Sequence, residues 1–161
     1  MSPFQSLPEY EKFVYTLQQR HASILQTTLT LARRGQGLAS LTGELHFSDG
    51  FRLVVFEILT WDKGTLLIQR YGYEAWQGAD KLYWYDPQPH PNDAHLARTH
   101  PHHKHVHPDT GELTADPLTK RGGIKRNRIP APFIRFDRPN LPFLIEEIEG
   151  LIPKSPGNTH K

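Results

Sequence analysis

At 161 residues, with a formal net charge of +2 and no cysteine, the chain has the size of one domain and excludes disulfides and thiolate metal sites. Hydrophobic residues make up 37%, and twelve glycines with fourteen prolines point to a compact domain carrying long irregular stretches. Nothing approaches the roughly 20 apolar residues of a membrane span, and the start "MSPFQSLPEYEKF" lacks a basic and then apolar leader, so a soluble, cytoplasmic protein is expected.

In chain order, "SLPEYEKFVYTL" opens with a capping-box pattern, in which Ser6 accepts from the amide of Glu9 and Pro8 suits a first turn. Tyr10, Phe13, Val14 and Leu17 fall at i, i+3, i+4 and i+7, which predicts a helix over 6–20 with one buried face. "SILQTTLTLA" is rich in threonine and β-branched residues, and "LASLTGELHF" alternates Leu41, Gly43, Leu45 and Phe47 against polar neighbours; both read as strands. Ser48-Asp49-Gly50 supplies a turn into "FRLVVFEILTW". "DKG" at 62–64 and "QGAD" at 77–80 then punctuate "TLLIQRYGYEAW" and "KLYWYD". These make an antiparallel sheet of about five strands. "NLPFLIEEIEGL" closes the chain as a second helix, with Leu141, Leu144, Ile145, Ile148 and Ile152 on one side and Gly150 and Pro153 ending it. The fold class is α+β over 1–153, with 154–161 a flexible tail. Residues 87–139 hold much proline and no sustained periodicity, so they read as a largely irregular segment, and segments of that length are often functional.

Charge and histidine concentrate in that segment. Residues 98–138 hold nine Lys/Arg against four Asp/Glu, and seven histidines lie between His90 and His107. Such a stretch attracts a polyanion such as RNA, because cationic contacts to phosphate release counterions; a solvated basic surface is the bland alternative. If 102–107 is extended, His103, His105 and His107 share one face at roughly 7 Å spacing, and His102 and Lys104 point the other way. Imidazoles titrate near neutrality, so one can accept the proton of a 2′-hydroxyl while another donates to the leaving oxygen. His102, His103 and His105 are therefore catalytic candidates, with Lys104 neutralising phosphate and no metal required. Metal ligation is the competing use of the same rings, although the chain has no helical His-Glu-x-x-His.

Other residues carry smaller expectations. Glu57 interrupts the apolar run "LVVFEIL", so its carboxylate is aimed either into a site, as a catalytic candidate, or onto an exposed face. Tyr71, Tyr73, Trp76, Tyr83, Trp84 and Tyr85 fall on neighbouring strands, where they stack bases or pack against each other. Arg70, Lys120, Arg121, Lys125, Arg126 and Arg128 are candidate RNA contacts, the last five flanking two glycines that let backbone approach a phosphate.

"YGYEAW" (71–76), "LYWYDPQPHP" (82–91) and "PHHKHV" (101–106), with a preceding strand that carries Glu57 and a terminal amphipathic helix, resemble the TumE-type family of bacterial toxin–antitoxin toxins. By position, His102, His103, Lys104 and His105 match the family's histidine motif, Tyr71 and Tyr73 its aromatic strand, and Asp86 and His90 its strand end. The chain departs from the pattern after Asp86, where Pro-Gln-Pro-His stands in place of Asn-Ala-Pro-His-His, and 107–139 is longer than the usual connection. The resemblance implies a small toxin acting as a ribonuclease, with Tyr73 of the aromatic strand a further catalytic candidate and a cognate antitoxin as partner. The sequence thus leads to a metal-independent endoribonuclease without cofactor, a homodimer being a further expectation. The alternatives are a non-catalytic nucleic-acid- or protein-binding module built on the basic 98–138 segment and a histidine-ligated metal protein.

Overall fold

The computed structural model describes residues 6–106 and 127–154. Its chain order is α1 (Leu7–Tyr15), α2 (Leu17–Arg20), β1 (Ile24–Thr27), β2 (Thr30–Arg33), β3 (Leu38–Phe47), β4 (Phe51–Asp62), β5 (Thr65–Gln77), β6 (Asp80–Asp86), β7 (His103–Val106), β8 (Asn127–Pro130) and α3 (Leu141–Leu151). Ser6 caps α1 through its side chain, which accepts from the Glu9 amide at 3.3 Å, and the single helix expected over 6–20 is broken at Thr16 into α1 and α2. No described helix is long and apolar enough to cross a membrane.

All described strand pairs are antiparallel, in the order β1-β3-β4-β5-β6-β7-β8, with β2 also on β3. The sheet therefore has eight strands where the sequence indicates about five. Two causes account for the difference. The single threonine-rich run is broken into β1 and β2 at Thr28 and Leu29, which cross over Gly43 of β3. The segment 87–139 also contributes β7 and β8, each of four residues and rich in histidine, proline or basic groups, so neither shows the apolar alternation by which a strand is recognised.

The two faces of the sheet differ in cover. Leu45, Leu53, Val55, Glu57, Tyr71, Tyr73, Tyr83 and Tyr85 are buried on one face beneath α1 and α3, which contribute Leu7, Tyr10 and Val14, and Leu141, Leu144, Ile145 and Ile148. The helix stripes read from the sequence are thus the stripes that pack. On the other face, Val54, Glu74, Trp84, His105 and Arg128 stand in one cross-strand row, with Asp86 opposite His103 in the next. Helices α1 and α3 pack on the opposite face, and the turn carrying His90 packs on this one, its ring 4.7 Å from that of His103.

Gly43 holds the β1–β2 crossing in place. Its φ is +136°, and a Cβ there would lie 2.5 Å from the Thr28 carbonyl oxygen. Gly43→Ala is therefore expected to cost more than about 2 kcal/mol in urea unfolding, since backbone strain and a backbone clash add. Gly35→Ala, at a positive φ but in open space, is expected to cost clearly less.

Candidate active site

Antiparallel pairing of β6 with β7 sets Asp86 opposite His103 and Trp84 opposite His105. Because side chains alternate along a strand, His103 and His105 emerge on the open face and Lys104 on the helical face. The alternation expected from the sequence therefore holds for these three, and His107 lies outside the described residues. The two rings converge: His103 Nε2 lies 3.0 Å from His105 Nε2 and 3.2 Å from Asp86 Oδ1, and His105 Nε2 is 3.0 Å from Asp86 Oδ2.

The ring protons follow from the partners. Nδ1 of His103 is 3.0 Å from the carbonyl oxygen of Pro101, an acceptor only, so Nδ1 donates and the neutral ring leaves Nε2 as a lone pair. His105 Nε2 then carries the proton directed at Asp86, which leaves His105 Nδ1 as the ring's acceptor, with no hydrogen-bond partner among the described residues. Burial opposes ionisation of Asp86, but the His105 hydrogen bond, the Gln88 amide at 2.9 Å and the charge on the two rings outweigh it and hold the carboxyl at about 2. Burial also depresses His103, whose side chain is 1% exposed, and favours its neutral form.

The cluster opens to solvent through His105 and Asp86, whose side chains are 13% and 28% exposed. Asp86 borders a cavity of about 570 Å³ that is also lined by Phe56, Arg70, Tyr71 and Gln88. His90 and the exposed Arg128 line a second, of about 610 Å³. Burial and the positive charge of Arg128 hold the His90 imidazole below its ordinary value. Trp84 lies against His105 with ring centroids 4.2 Å apart, and the Lys81 ammonium sits 4.2 Å from the Trp84 ring.

Several sequence candidates fall elsewhere. His102 accepts from or donates to Tyr71 at 2.6 Å through Nδ1, packs on Phe136, and lines a separate cavity with Arg98, His100 and Arg135. Burial, then the charge on Arg135, lowers its pKa to about 4. Lys104 reaches through to α3, where its ammonium meets Glu147 at 3.0 Å and lies 4.1 Å from the Tyr83 ring. Glu57 is fully buried, not exposed; it accepts from Tyr10 at 2.6 Å and Tyr73 at 2.7 Å, and Asn140 at the start of α3 donates to Tyr73. Tyr71, Tyr73, Tyr83 and Tyr85 are buried, so they pack rather than present faces to bases. Arg70 is exposed beside Asp86, and Lys120, Arg121, Lys125 and Arg126 lie outside the described residues.

The model of the TumE toxin family matches residues 12–122, well over half of the chain. This chain belongs to the TumE toxin family. Asp86, His90, His103 and His105 all fall inside the matched stretch, and Arg128 and α3 lie beyond it. No curated protein and no solved structure matches the chain. Asp86, matched in the sequence to the family's strand end, is not among the catalytic candidates read from the sequence, although its parity with Trp84 and its position before a proline-rich turn place it on the same face as that ring.

Burial raises the Glu57 carboxyl from 4.5 to about 7, against the two tyrosine hydrogen bonds that lower it. The folded protein therefore binds this proton more tightly than the unfolded chain, and stability is lost as pH rises from about 4.5 to about 7. In urea titrations across that range, wild type is expected to lose on the order of 2–3 kcal/mol relative to Glu57→Gln, which keeps the shape and removes the titration.

Proposed function

We propose that this TumE-family protein is an RNA-cleaving toxin whose chemical centre is Asp86, His103 and His105, neutralised in its cell by a cognate antitoxin. The observation that carries this reading is the Asp86–His105 pair. A carboxylate bound to the proton of Nε2 fixes the tautomer and turns the lone pair of Nδ1 outward, which is the arrangement of a general base held by an orienting acid.

Two imidazoles with nitrogens 3.0 Å apart have no phosphodiester-sized gap between them. His103 and His105 therefore do not divide the base and acid roles across one phosphate. His105 takes the 2′-hydroxyl proton through Nδ1, and His103 is a positioning residue that packs the other flank of the Asp86 carboxylate. Attack of the 2′-oxygen on phosphorus forms one P–O bond as the bond to the 5′-oxygen breaks, and that oxygen needs a proton. His90, in the cavity with Arg128 and with its ring 4.7 Å from that of His103, is the imidazole assigned to supply it. Arg128 stands next to His105 across the β7–β8 ladder and neutralises phosphate, the role that sequence reasoning gives to Lys104. Arg70 extends the cationic rim on the Asp86 side.

The test is cleavage of a labelled RNA in chelator by wild type and variants. His105→Ala and Asp86→Asn are expected to lose at least about 100-fold in rate, and Arg128→Ala to weaken RNA binding. Lys104→Met is expected to lower the melting temperature with little change in rate per folded molecule, because its partner Glu147 lies on the opposite face. RNA that is retarded but left intact by wild type, or cleavage untouched by His105→Ala, would sink this reading.

A further inference from the structure

The cluster of Asp86, His103 and His105 contains more lone pairs than protons. With His103 protonated on Nδ1, its Nε2 lone pair faces Asp86 Oδ1 at 3.2 Å with no proton between them, and the single proton on His105 Nε2 lies 3.0 Å from both His103 Nε2 and Asp86 Oδ2, measured from its nitrogen. Buried acceptors that face one another without a donor are costly, and a cation placed among them removes the conflict.

The distances fit one occupant class. Bonds of about 2.0–2.1 Å to a tetrahedral ion set neighbouring donor atoms about 3.3 Å apart. Here the donor pairs lie 3.0 to 3.2 Å apart, and all candidate ligand atoms are within 4.8 Å of one another. Two imidazole nitrogens and one carboxylate, without thiolate, suit zinc, cobalt or nickel in place of the oxygen-seeking magnesium and calcium. The shell behind the ligands is built as well: the Pro101 carbonyl holds the His103 ring, and the Gln88 amide holds the Asp86 carboxylate.

We propose that Asp86, His103 and His105 bind a single divalent transition-metal ion of the zinc class. Three protein ligands leave a fourth position for water on the exposed side. Ligation through His105 Nε2 displaces the proton of that nitrogen and leaves the ring protonated on Nδ1, which removes the acceptor that RNA cleavage uses. Zinc thus acts as an off-switch. This consequence rests on the ribonuclease reading, whereas the metal site itself does not.

The experiment uses the full chain stripped with chelator, titrated with zinc by calorimetry and with cobalt by visible absorption, with RNA cleavage followed in parallel. The expected result is one tight ion per chain, a tetrahedral cobalt spectrum, and a zinc-dependent rise in melting temperature. Affinity is expected to fall at least about 10-fold in Asp86→Asn and further in His105→Ala. Asp86→Asn keeps the side-chain shape, and the wild-type cobalt spectrum needs no variant at all, so a folding defect does not blunt the test. Cleavage in chelator that zinc suppresses supports the switch. Cleavage that requires zinc supports the metal site and overturns the metal-free base. Several weak ions per chain with equal affinity in wild type and both variants, as scattered histidines give, overturns the metal site whatever the protein does to RNA.

Discussion

Asp86, His103, His105 and Trp84 are placed by the backbone ladder between β6 and β7. Antiparallel register puts Asp86 against His103 and Trp84 against His105, so a carboxylate, two imidazoles and an indole are brought within contact by main-chain hydrogen bonds alone. Strand parity then decides which side chains meet. The His-Lys-His order of β7 delivers two rings to the open face and one ammonium to the helical face; a slip of one residue would exchange them. Helix α3 stabilises this register, because Lys104 finds Glu147 only when it points inward.

The charges on the two faces have different work. On the helical face, Glu57 with Tyr10, Tyr73 and Asn140 ties β4 and β5 to both long helices, and Glu147 with Lys104 and Tyr85 ties β6 and β7 to α3. These groups are buried and mutually satisfied, so they fix the stacking of the layers and are closed to substrate. On the open face the groups are left short of partners: His105 Nδ1 has none among the described residues, and the His103 Nε2 lone pair faces Asp86 Oδ1 with no proton between them. An arrangement that is costly for folding and borders a solvent-accessible cavity is consistent with a catalytic or binding site.

Much of the architecture was readable in the sequence because burial imposes periodicity. The stripes of α1 and α3 and the long strands β3 to β6 alternate or repeat as their environments require. Strands β7 and β8 escaped because each is four residues long, and the inward-pointing Lys104, Val106 and Ile129 stand amid histidine, arginine and proline. His-x-His parity was legible from strand geometry alone. The separation of Lys104 from the histidines followed from the same alternation, yet assigning it to phosphate needed both faces to serve one ligand. Glu57 misled for a different reason: a carboxylate in an apolar run reads as exposed or catalytic, and its third fate, capture by two tyrosines 16 and 47 residues away, depends on contacts that no local pattern encodes. Asp86 was visible as a strand end but not as a partner, since its pairing with His103 rests on the unrecognised strand.

The central claim is that Asp86 and the Pro101 carbonyl hold the two rings in opposite tautomers. Long-range proton–nitrogen correlation NMR of the ion-free protein, with imidazole nitrogens labelled, reads this directly. His103 is expected as the Nδ1–H form and His105 as the Nε2–H form, with the His105 preference abolished in Asp86→Asn. Two rings that each average over both tautomers, unaltered by Asp86→Asn, would contradict the account.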